Sequence, residues 1–524
     1  MAELVEIVGL VAVVVAVSAA ARVLGLLAPI ALVIAGVLVS LVPGVPRVDL
    51  DSQLVLVWIL PPLLYVAALE MSVPAFRYNL RPILLLAVGL VLVTVVAVGY
   101  TTHALVPRAP LAICLAFGAV VAPPDAIAAT AIARRIGLPG RVVTILEGES
   151  LVNDATALVA LRVAVAAGVG SATGFGEITW TAVVATGGGL LVGAAGAVVF
   201  GFAHRRTTDP LLDNAISLLT PFGIVLAAEA VGASSVVAVV VAGLALGHRM
   251  PTLMSAASRL QMDAFWAMVR FLLEGLVFLL VGLQLRGIVT RLATPWGTVA
   301  AATAGVLCAV IVTRFVWIYP ATYLARLTPR VRAREPMPPL RYPTVIGWAG
   351  MRGVVTLAAV LTLPQTLAGG RPYPRDLFVW LAFAVIMGTL VLQGLTLPRV
   401  ARWLRLPPDD PKVDALAEAG VQHSASRAAQ RRLAGLADGA PEHVVTQLRK
   451  LTQRRSNTAW ERLGATGAET PGRAYVRLRV AMLDAEREVF RLARDEGRIS
   501  EEVLRRAQRE MDLEESMLDR DGAS

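Results

Sequence analysis

The chain has 524 residues, of which 56% are hydrophobic and only 16% are charged. A soluble protein carries about 25% charged residues, so this composition excludes a soluble protein and indicates a chain mostly solvated by lipid. The net charge of +10 arises before Pro408, where 28 basic residues face 17 acidic ones, while 20 and 21 follow. A membrane-tethered nucleic-acid binder would carry its positive charge in the soluble part, so no nucleic-acid partner is expected.

Rare residues exclude several kinds of chemistry. The chain has two lysines, Lys412 and Lys450, and both lie in the polar C-terminal part. A P-loop needs a lysine after its glycine-rich turn, so ATP is not an expected partner. The cysteines Cys114 and Cys308 lie in apolar runs, which predicts small buried side chains rather than a metal site. We therefore expect no cofactor.

Apolar runs long enough to cross a bilayer, which takes about 20 residues per helix, recur thirteen times. They span 4–21, 23–42, 53–70, 82–106, 110–133, 142–168, 178–203, 211–231, 233–247, 264–285, 296–325, 343–365 and 377–400. Cytoplasmic connections collect arginine, and one set of alternate connections holds 15 arginines while the opposite set holds 6. This bias predicts an odd number of spans in the cytoplasmic membrane, with the N-terminus outside and the C-terminus inside.

The composition changes sharply at Pro408. We predict an all-α membrane domain at 1–408 and a charged, mostly helical cytoplasmic tail at 409–524. Within the tail, 473–516 has the apolar spacing of one or two amphipathic helices. The tail either packs on itself or on a neighbour as a solvated unit, or it holds a regulatory ligand or partner site, although no motif marks such a site.

Two of the predicted spans carry features that interrupt a helix. In the fifth span Pro123 and Pro124 precede Asp125, and adjacent prolines remove two backbone donors. In the twelfth span glycines recur every three residues through 347–353, which weakens a helix and lets another backbone approach. The two spans lie seven apart and therefore cross in opposite directions. Interrupted helices in inverted repeats, crossing near mid-membrane, are typical of a transporter's central site.

The sixth span carries a polar stripe on an apolar helix. Glu149 and Asn153 are four residues apart, and so are Ser150 and Asp154, so these side chains lie close together. Their oxygens are hard ligands that suit a small cation, and a charge in the membrane calls for a partner, a water-filled cavity or a function. Asp125 either caps the helix after the break or faces the same ion.

Arginines in the spans offer partners for these acids. We predict that Arg352, beside the glycine-rich break, pairs with Glu149 or Glu147, and we favour Glu149 because it lies closer to Asp154. The structural alternative is that charges in the membrane simply pair off and join helices. It applies above all to Arg162, Arg270, Arg314, Glu229 and Glu274.

These residues resemble the motifs of the monovalent cation:proton antiporters, in particular the bacterial sodium/proton exchangers of the NhaP and NHE type. The resemblance covers most of 50–405 and is strongest at 148–154, GESLVND, and at 347–353, GWAGMRG. By resemblance, Asp154 takes the transported cation or proton, and the site is shaped by Asn153. The resemblance also implies a homodimer.

Further roles follow from the same resemblance. Ser150 contributes an oxygen, and Glu149 forms a buried ion pair with Arg352. Asp125 matches the acid of the family's T-D-P motif, in which the threonine is replaced here by Pro124. Two more acids stand as candidates for the site, namely Glu70, which is nearest to a position where many relatives carry an acid, and Glu147.

The motifs and the resemblance together predict a secondary antiporter, not an enzyme. It would exchange Na⁺ or Li⁺ for H⁺ by alternating access, with the two ions competing for Asp154, and would serve pH homeostasis without ATP. K⁺ is an alternative cation, because oxygen ligands alone do not fix the ion. A cation channel and a membrane sensor that signals through its tail are further alternatives, and a membrane enzyme is the least favoured.

Overall fold

The computed structural model describes residues 2–43, 53–169, 175–329, 332, 337–367, 372–406, 410–438, 440–464 and 470–523. Within these ranges every regular element is a helix. The chain divides into two compact units, 1–408 and 409–524. We call them the membrane unit and the tail.

Eighteen α-helices, α1 to α18, form the described part of the membrane unit. In chain order they are Ala2–Val23, Ala28–Ser40, Leu60–Glu70, Val73–Tyr78, Leu80–Leu84, Val91–Leu105, Leu111–Val121, Ala126–Arg135, Gly140–Val169, Phe175–Arg206, Pro210–Ala230, Ser235–Leu253, Ala256–Leu283, Leu285–Arg291, Trp296–Tyr323, Arg341–Trp348, Val354–Leu361 and Arg375–Trp403. Short π-helical segments, Leu54–Ile59 and Leu85–Leu90, precede α3 and α6.

Length and apolar composition identify the candidate membrane spans. Among the described residues, eight helices are long and apolar enough to cross a membrane. They cover 80–105, 140–168, 179–205, 210–230, 235–253, 256–291, 296–323 and 375–403. The chain is therefore a multi-pass membrane protein, while the count of thirteen crossings and the inverted repeats stay predictions.

Two helical runs are interrupted where the sequence predicts a break. Between α7 and α8 the chain leaves the helix at 122–125, and between α16 and α17 it does so at 349–353. The two breaks touch, because the backbone N–H of Asp125 donates to the carbonyl oxygen of Met351 at 2.7 Å. This contact places polar backbone from two separate helical runs at one point inside the membrane unit.

Glycines allow two helices of the membrane unit to meet backbone to backbone. A Cβ atom at Gly36 on α2 would lie 2.3 Å from the carbonyl oxygen of Leu279 on α13, closer than real Cβ atoms approach. No side-chain layer therefore separates these helices at their crossing. We infer that α2 holds α13 firmly in place.

The tail contains four helices, α19 to α22, in its described ranges. They are Pro411–Ala434, Glu442–Gly464, Pro471–Asp495 and Glu501–Ala523, so the segment 473–516 forms two helices rather than one. α21 and α22 share a small apolar core of Leu483, Met511 and Leu518. Ion pairs flank that core, with Arg479 2.7 Å from Glu514.

Candidate ion-binding cavity

A cavity of about 310 Å³ lies between two groups of helices in the membrane unit. One side, the α3–α13 wall, consists of α3, the π-helical segment before it and α13. The other side, the α8–α9 wall, consists of α8, α9, α17 and the break at 122–125. Most of the lining is apolar, and the polar side chains that line it are therefore the candidates for chemistry.

Asp154 lines the buried part of the cavity. It lies in the middle of α9, one helical turn after Ser150, which also lines the cavity, and it is only 6% exposed. Within the part of the chain that the structure describes, no hydrogen bond or ion pair reaches its carboxylate. An uncompensated carboxylate inside a membrane protein is costly, so the position needs a proton or a cation.

Asp125 both caps a helix and lines the cavity, so capping, one of the two alternatives that the sequence leaves open, does not exclude the other. Its Oδ1 atom accepts a hydrogen bond from the backbone N–H of Ile127 at 2.8 Å, at the first turn of α8. A Cβ atom at Gly353 would lie 2.6 Å from the Cβ atom of Asp125. Only glycine therefore lets the second break approach this carboxylate.

The break at 122–125 leaves carbonyl groups without helical partners, because Pro123 and Pro124 have no N–H to donate. In a continuous helix the N–H of Asp125 would donate to the carbonyl oxygen of Val121. Here it donates instead to Met351 in the other break. Arg352 replaces it, since its Nε atom donates to the Val121 carbonyl oxygen at 2.9 Å. Irregular backbone at membrane depth is tolerated only with such partners.

Asn153, on α9, stabilises the same break through a hydrogen bond. Its Nδ2 atom donates to the carbonyl oxygen of Pro124 at 2.8 Å, and its side chain is fully buried behind the cavity lining. Among the sequence-predicted oxygen donors, Asp154, Asp125 and Ser150 line the cavity and Asn153 does not. Asn153 therefore acts on the cavity through the backbone beside Asp125.

Comparison with known proteins identifies the family. Residues 9–403 match the family described as "Sodium/hydrogen exchanger, transmembrane". The chain belongs to this family. Its members are secondary cation/proton antiporters, which are transporters rather than enzymes.

Relatives with similar sequences carry matching descriptions. An uncharacterised Na⁺/H⁺ exchanger of Mycobacterium bovis is 36% identical over 94% of this chain and 91% of its own length. A sodium, potassium, lithium and rubidium/H⁺ antiporter of Bacillus subtilis is 33% identical over 71% of this chain and 57% of its own.

A solved structure shows the same fold. A sodium proton antiporter of Methanocaldococcus jannaschii superposes with a TM-score of 0.62. The alignment covers 78% of this chain and 99% of that one, at 16% sequence identity. At that identity the likeness concerns the fold alone.

The predicted ion pair between Glu149 and Arg352 is correct for Glu149 but wrong for its partner. Glu149 binds Arg314 on α15, not Arg352, through two hydrogen bonds of 2.5 and 2.8 Å. Both side chains are only 1% exposed, and Arg314 also donates to the carbonyl oxygen of Ile346 at the end of α16. Arg352 donates instead to the backbone carbonyl oxygens of Val121 and Gly350, and it forms no ion pair with Glu149 among the described residues.

The acids Glu70 and Glu147 line the outer part of the cavity, where each is paired. Glu70 lies 2.5 Å from Arg270, and Glu147 lies 2.6 Å from Arg134. All four side chains are partly exposed, and we call them the mouth of the cavity. Glu147 precedes Asp154 by two turns of α9, about 10 Å along the helix, so the mouth is separated from the buried acids.

Sequence reasoning missed two contributors to the cavity. For Glu274 the sequence favours a purely structural role, pairing with another charge to join helices. In the structure its side chain lines the cavity, with its Oε1 atom 4.0 Å from Nε of Arg270. Thr356 on α17 was not singled out, although it lines the buried part of the cavity. The only sequence signal for Thr356 was its place three residues after Gly353, on the turn that follows the break.

Proposed function

We propose that this protein exchanges Na⁺ or Li⁺ for H⁺ across the cytoplasmic membrane by alternating access, with the cation and the proton competing for Asp154. One observation carries the proposal. Asp154 is a buried carboxylate that lines a cavity, and among the described residues no basic side chain pairs with it. The family to which the chain belongs supports the same exchange.

Competition follows from the cost of a buried charge. A carboxylate removed from water is stabilised by a proton or by a cation, and binding of one removes the charge that attracts the other. Asp125 and Ser150 add oxygen atoms to the same cavity, which suits a hard monovalent cation. The exchange then draws its energy from the two ion gradients and needs no nucleotide.

We further propose that the mouth faces the cytoplasm. Arg134 belongs to the mouth, and Arg135 and Arg141 lie at the adjoining ends of α8 and α9. Arginine-rich connections favour the cytoplasmic side. This orientation places the N-terminus outside and the tail, 409–524, in the cytoplasm, and cysteine labelling from either side of the membrane tests it.

The identity of the cation is the finer part of the proposal. Na⁺ is supported by the family description, and K⁺ is the second candidate because the Bacillus subtilis relative's name includes potassium. Measuring pH change in everted vesicles after separate additions of Na⁺, Li⁺ and K⁺ distinguishes them. A response to K⁺ at lower concentration than to Na⁺ would favour the second candidate.

The experiment that tests Asp154 compares two substitutions. Asp154→Asn keeps the size of the side chain but removes its charge, so we expect cation-driven proton movement in everted vesicles to be abolished. Asp263→Asn changes an exposed aspartate on α13 outside the cavity lining and should leave exchange intact. Exchange at the unmodified rate by the Asp154→Asn protein would refute the assignment.

We also propose a homodimer in the membrane, on the resemblance described above, and a regulatory role for the tail, which is one of the alternatives that its sequence leaves open. Chemical cross-linking in native membranes tests the dimer. Truncation before Pro411 tests the tail: retained exchange with an altered dependence on internal pH supports regulation, whereas unchanged exchange at every pH contradicts it.

A further inference from the structure

Thr356 carries a buried hydroxyl group without a hydrogen-bond partner. The residue is only 1% exposed, and its Oγ1 atom has no partner in the described part of the chain. The side chain lines the cavity together with Asp125, Ser150 and Asp154. Buried hydroxyl groups are nearly always hydrogen-bonded, so this one needs an explanation.

The break between α16 and α17 removes one partner that a continuous helix would offer the hydroxyl. Several helical threonines of this protein donate to a carbonyl four residues earlier, as Thr94 donates to Leu90, although the buried hydroxyl of Thr102 on α6 has no partner in the described part of the chain. For Thr356 the equivalent carbonyl belongs to Arg352, which lies in the break and outside the helix. The helical geometry that would bring this carbonyl to the hydroxyl is therefore missing.

The surroundings of the hydroxyl match the needs of a cation. Gly353 brings the start of α17 against the carboxylate of Asp125, and Thr356 follows one turn later on the same side of the helix. A hydroxyl oxygen is a hard, neutral ligand that can replace one water of a dehydrating cation. A proton on Asp154, in contrast, needs no shell of oxygen ligands.

We propose that Thr356 Oγ1 is a direct ligand of the monovalent cation held at Asp154, and that it sets the preference of the site among alkali cations. The inference rests on the proposed function. It assigns one oxygen of the cation's coordination shell to α17, the helix that begins directly after the break that contains Arg352. The site would then take ligands from both interrupted helices as well as from α9.

The test compares substitutions that keep the shape of the side chain and change its oxygen. Thr356→Val should raise the half-saturating Na⁺ concentration for exchange in everted vesicles by about tenfold or more, the usual effect of losing a polar contact to a charged group. Thr356→Ser restores the oxygen and should return the value to within about threefold of the unmodified protein. Relative half-saturation by Na⁺, Li⁺ and K⁺ should change in the Val protein.

A matched control lies directly after the same helix, at its C-cap. Thr362→Val removes a hydroxyl that donates to the Ala359 carbonyl at the exposed end of α17, and should not change the half-saturating Na⁺ concentration. Equal values for Thr356→Val and the unmodified protein would overturn the inference, and so would equal losses in the Val and Ser proteins.

Two further outcomes are defined. If the Val protein does not fold, Thr356→Cys is compared with Thr356→Ser, because sulfur is a poor ligand for a hard cation. Equal half-saturation in that pair overturns the inference, and a higher value for the Cys protein supports it. Absence of cation-driven exchange in the unmodified protein would refute the proposed function itself, so the two failures are distinguishable.

Discussion

The buried pair of Glu149 and Arg314 provides the sharpest prediction of stability. Arg314→Met leaves the carboxylate of Glu149 in a site where it is 1% exposed and has lost both of its hydrogen bonds. A hydrogen bond to a charged group contributes about 1.5–3 kcal/mol, so two of them suggest about 3–6 kcal/mol. Breaking one partner of a buried ion pair costs about 3–5 kcal/mol, and we expect a loss in this common range.

The double substitution should recover most of that loss. In Glu149→Gln/Arg314→Met neither member of the pair is left as an unpaired buried charge, and replacing a whole buried pair with neutral side chains is often nearly neutral. The coupling energy of the pair follows from the free energies of unfolding of four proteins: the unmodified protein, the two single variants and the double variant. Denaturing-detergent titration of the purified proteins measures these energies. We expect a coupling of at least about 2 kcal/mol, within the range for residues that share hydrogen bonds.

Arg352 supplies the comparison that decides between the two arginines. Its Nε atom is bonded to the carbonyl of Val121, so Glu149→Gln and Arg352→Met should show a smaller coupling than the first pair. Arg352→Met should still destabilise the protein, because the break at 122–125 loses a donor. A larger coupling of Glu149 with Arg352 than with Arg314 would refute the reasoning from the structure.

Three further predictions concern other parts of the chain. Gly353→Ala should reduce exchange and thermal stability, because its Cβ atom would lie 2.6 Å from that of Asp125, whereas Gly187→Ala on α10 meets nothing within 4 Å and should do neither. Asp213→Asn should lower the free energy of unfolding by about 1–3 kcal/mol, because Asp213 lies 2.9 Å from the buried ring of His204; an unchanged unfolding curve would contradict this. In the tail, the guanidinium of Arg479 lowers the pKa of Glu514. The contribution of Glu514 to stability is thus present at neutral pH and lost as the pH falls through its lowered pKa. Hydrogen exchange of 471–523 in the whole protein should accelerate there, and Glu514→Gln should weaken this acceleration.

The sequence predicted those features of the site that depend on neighbouring residues. Adjacent prolines and repeated glycines act on the backbone where they stand, so the breaks at 122–125 and 349–353 follow from local chemistry alone. The stripe of Ser150 and Asp154 follows from helical spacing in the same way. These patterns place the two interruptions and the polar face of α9 without any knowledge of tertiary contacts.

Partner choice could not be predicted, because it depends on contacts between distant helices. Glu149 and Arg314 are 165 residues apart, and nothing in the spacing says which arginine faces α9. Thr356 was missed for a different reason. Its place in the first turn after the break follows from α17 beginning at Val354, and sequence patterns define helix ends no better than within a few residues.

The ion pairs at the mouth have a consequence for movement. Glu70, Arg270 and Glu274 all belong to the α3–α13 wall, whereas Arg134 and Glu147 both belong to the α8–α9 wall. Among the described residues, no ion pair at the mouth joins one wall to the other. Sliding of one wall past the other therefore breaks no ion pair at the mouth, although it weakens the longer-range attraction between Arg270 and Glu147. The rate of such a movement should depend less on ionic strength than a rate limited by the breaking of salt bridges.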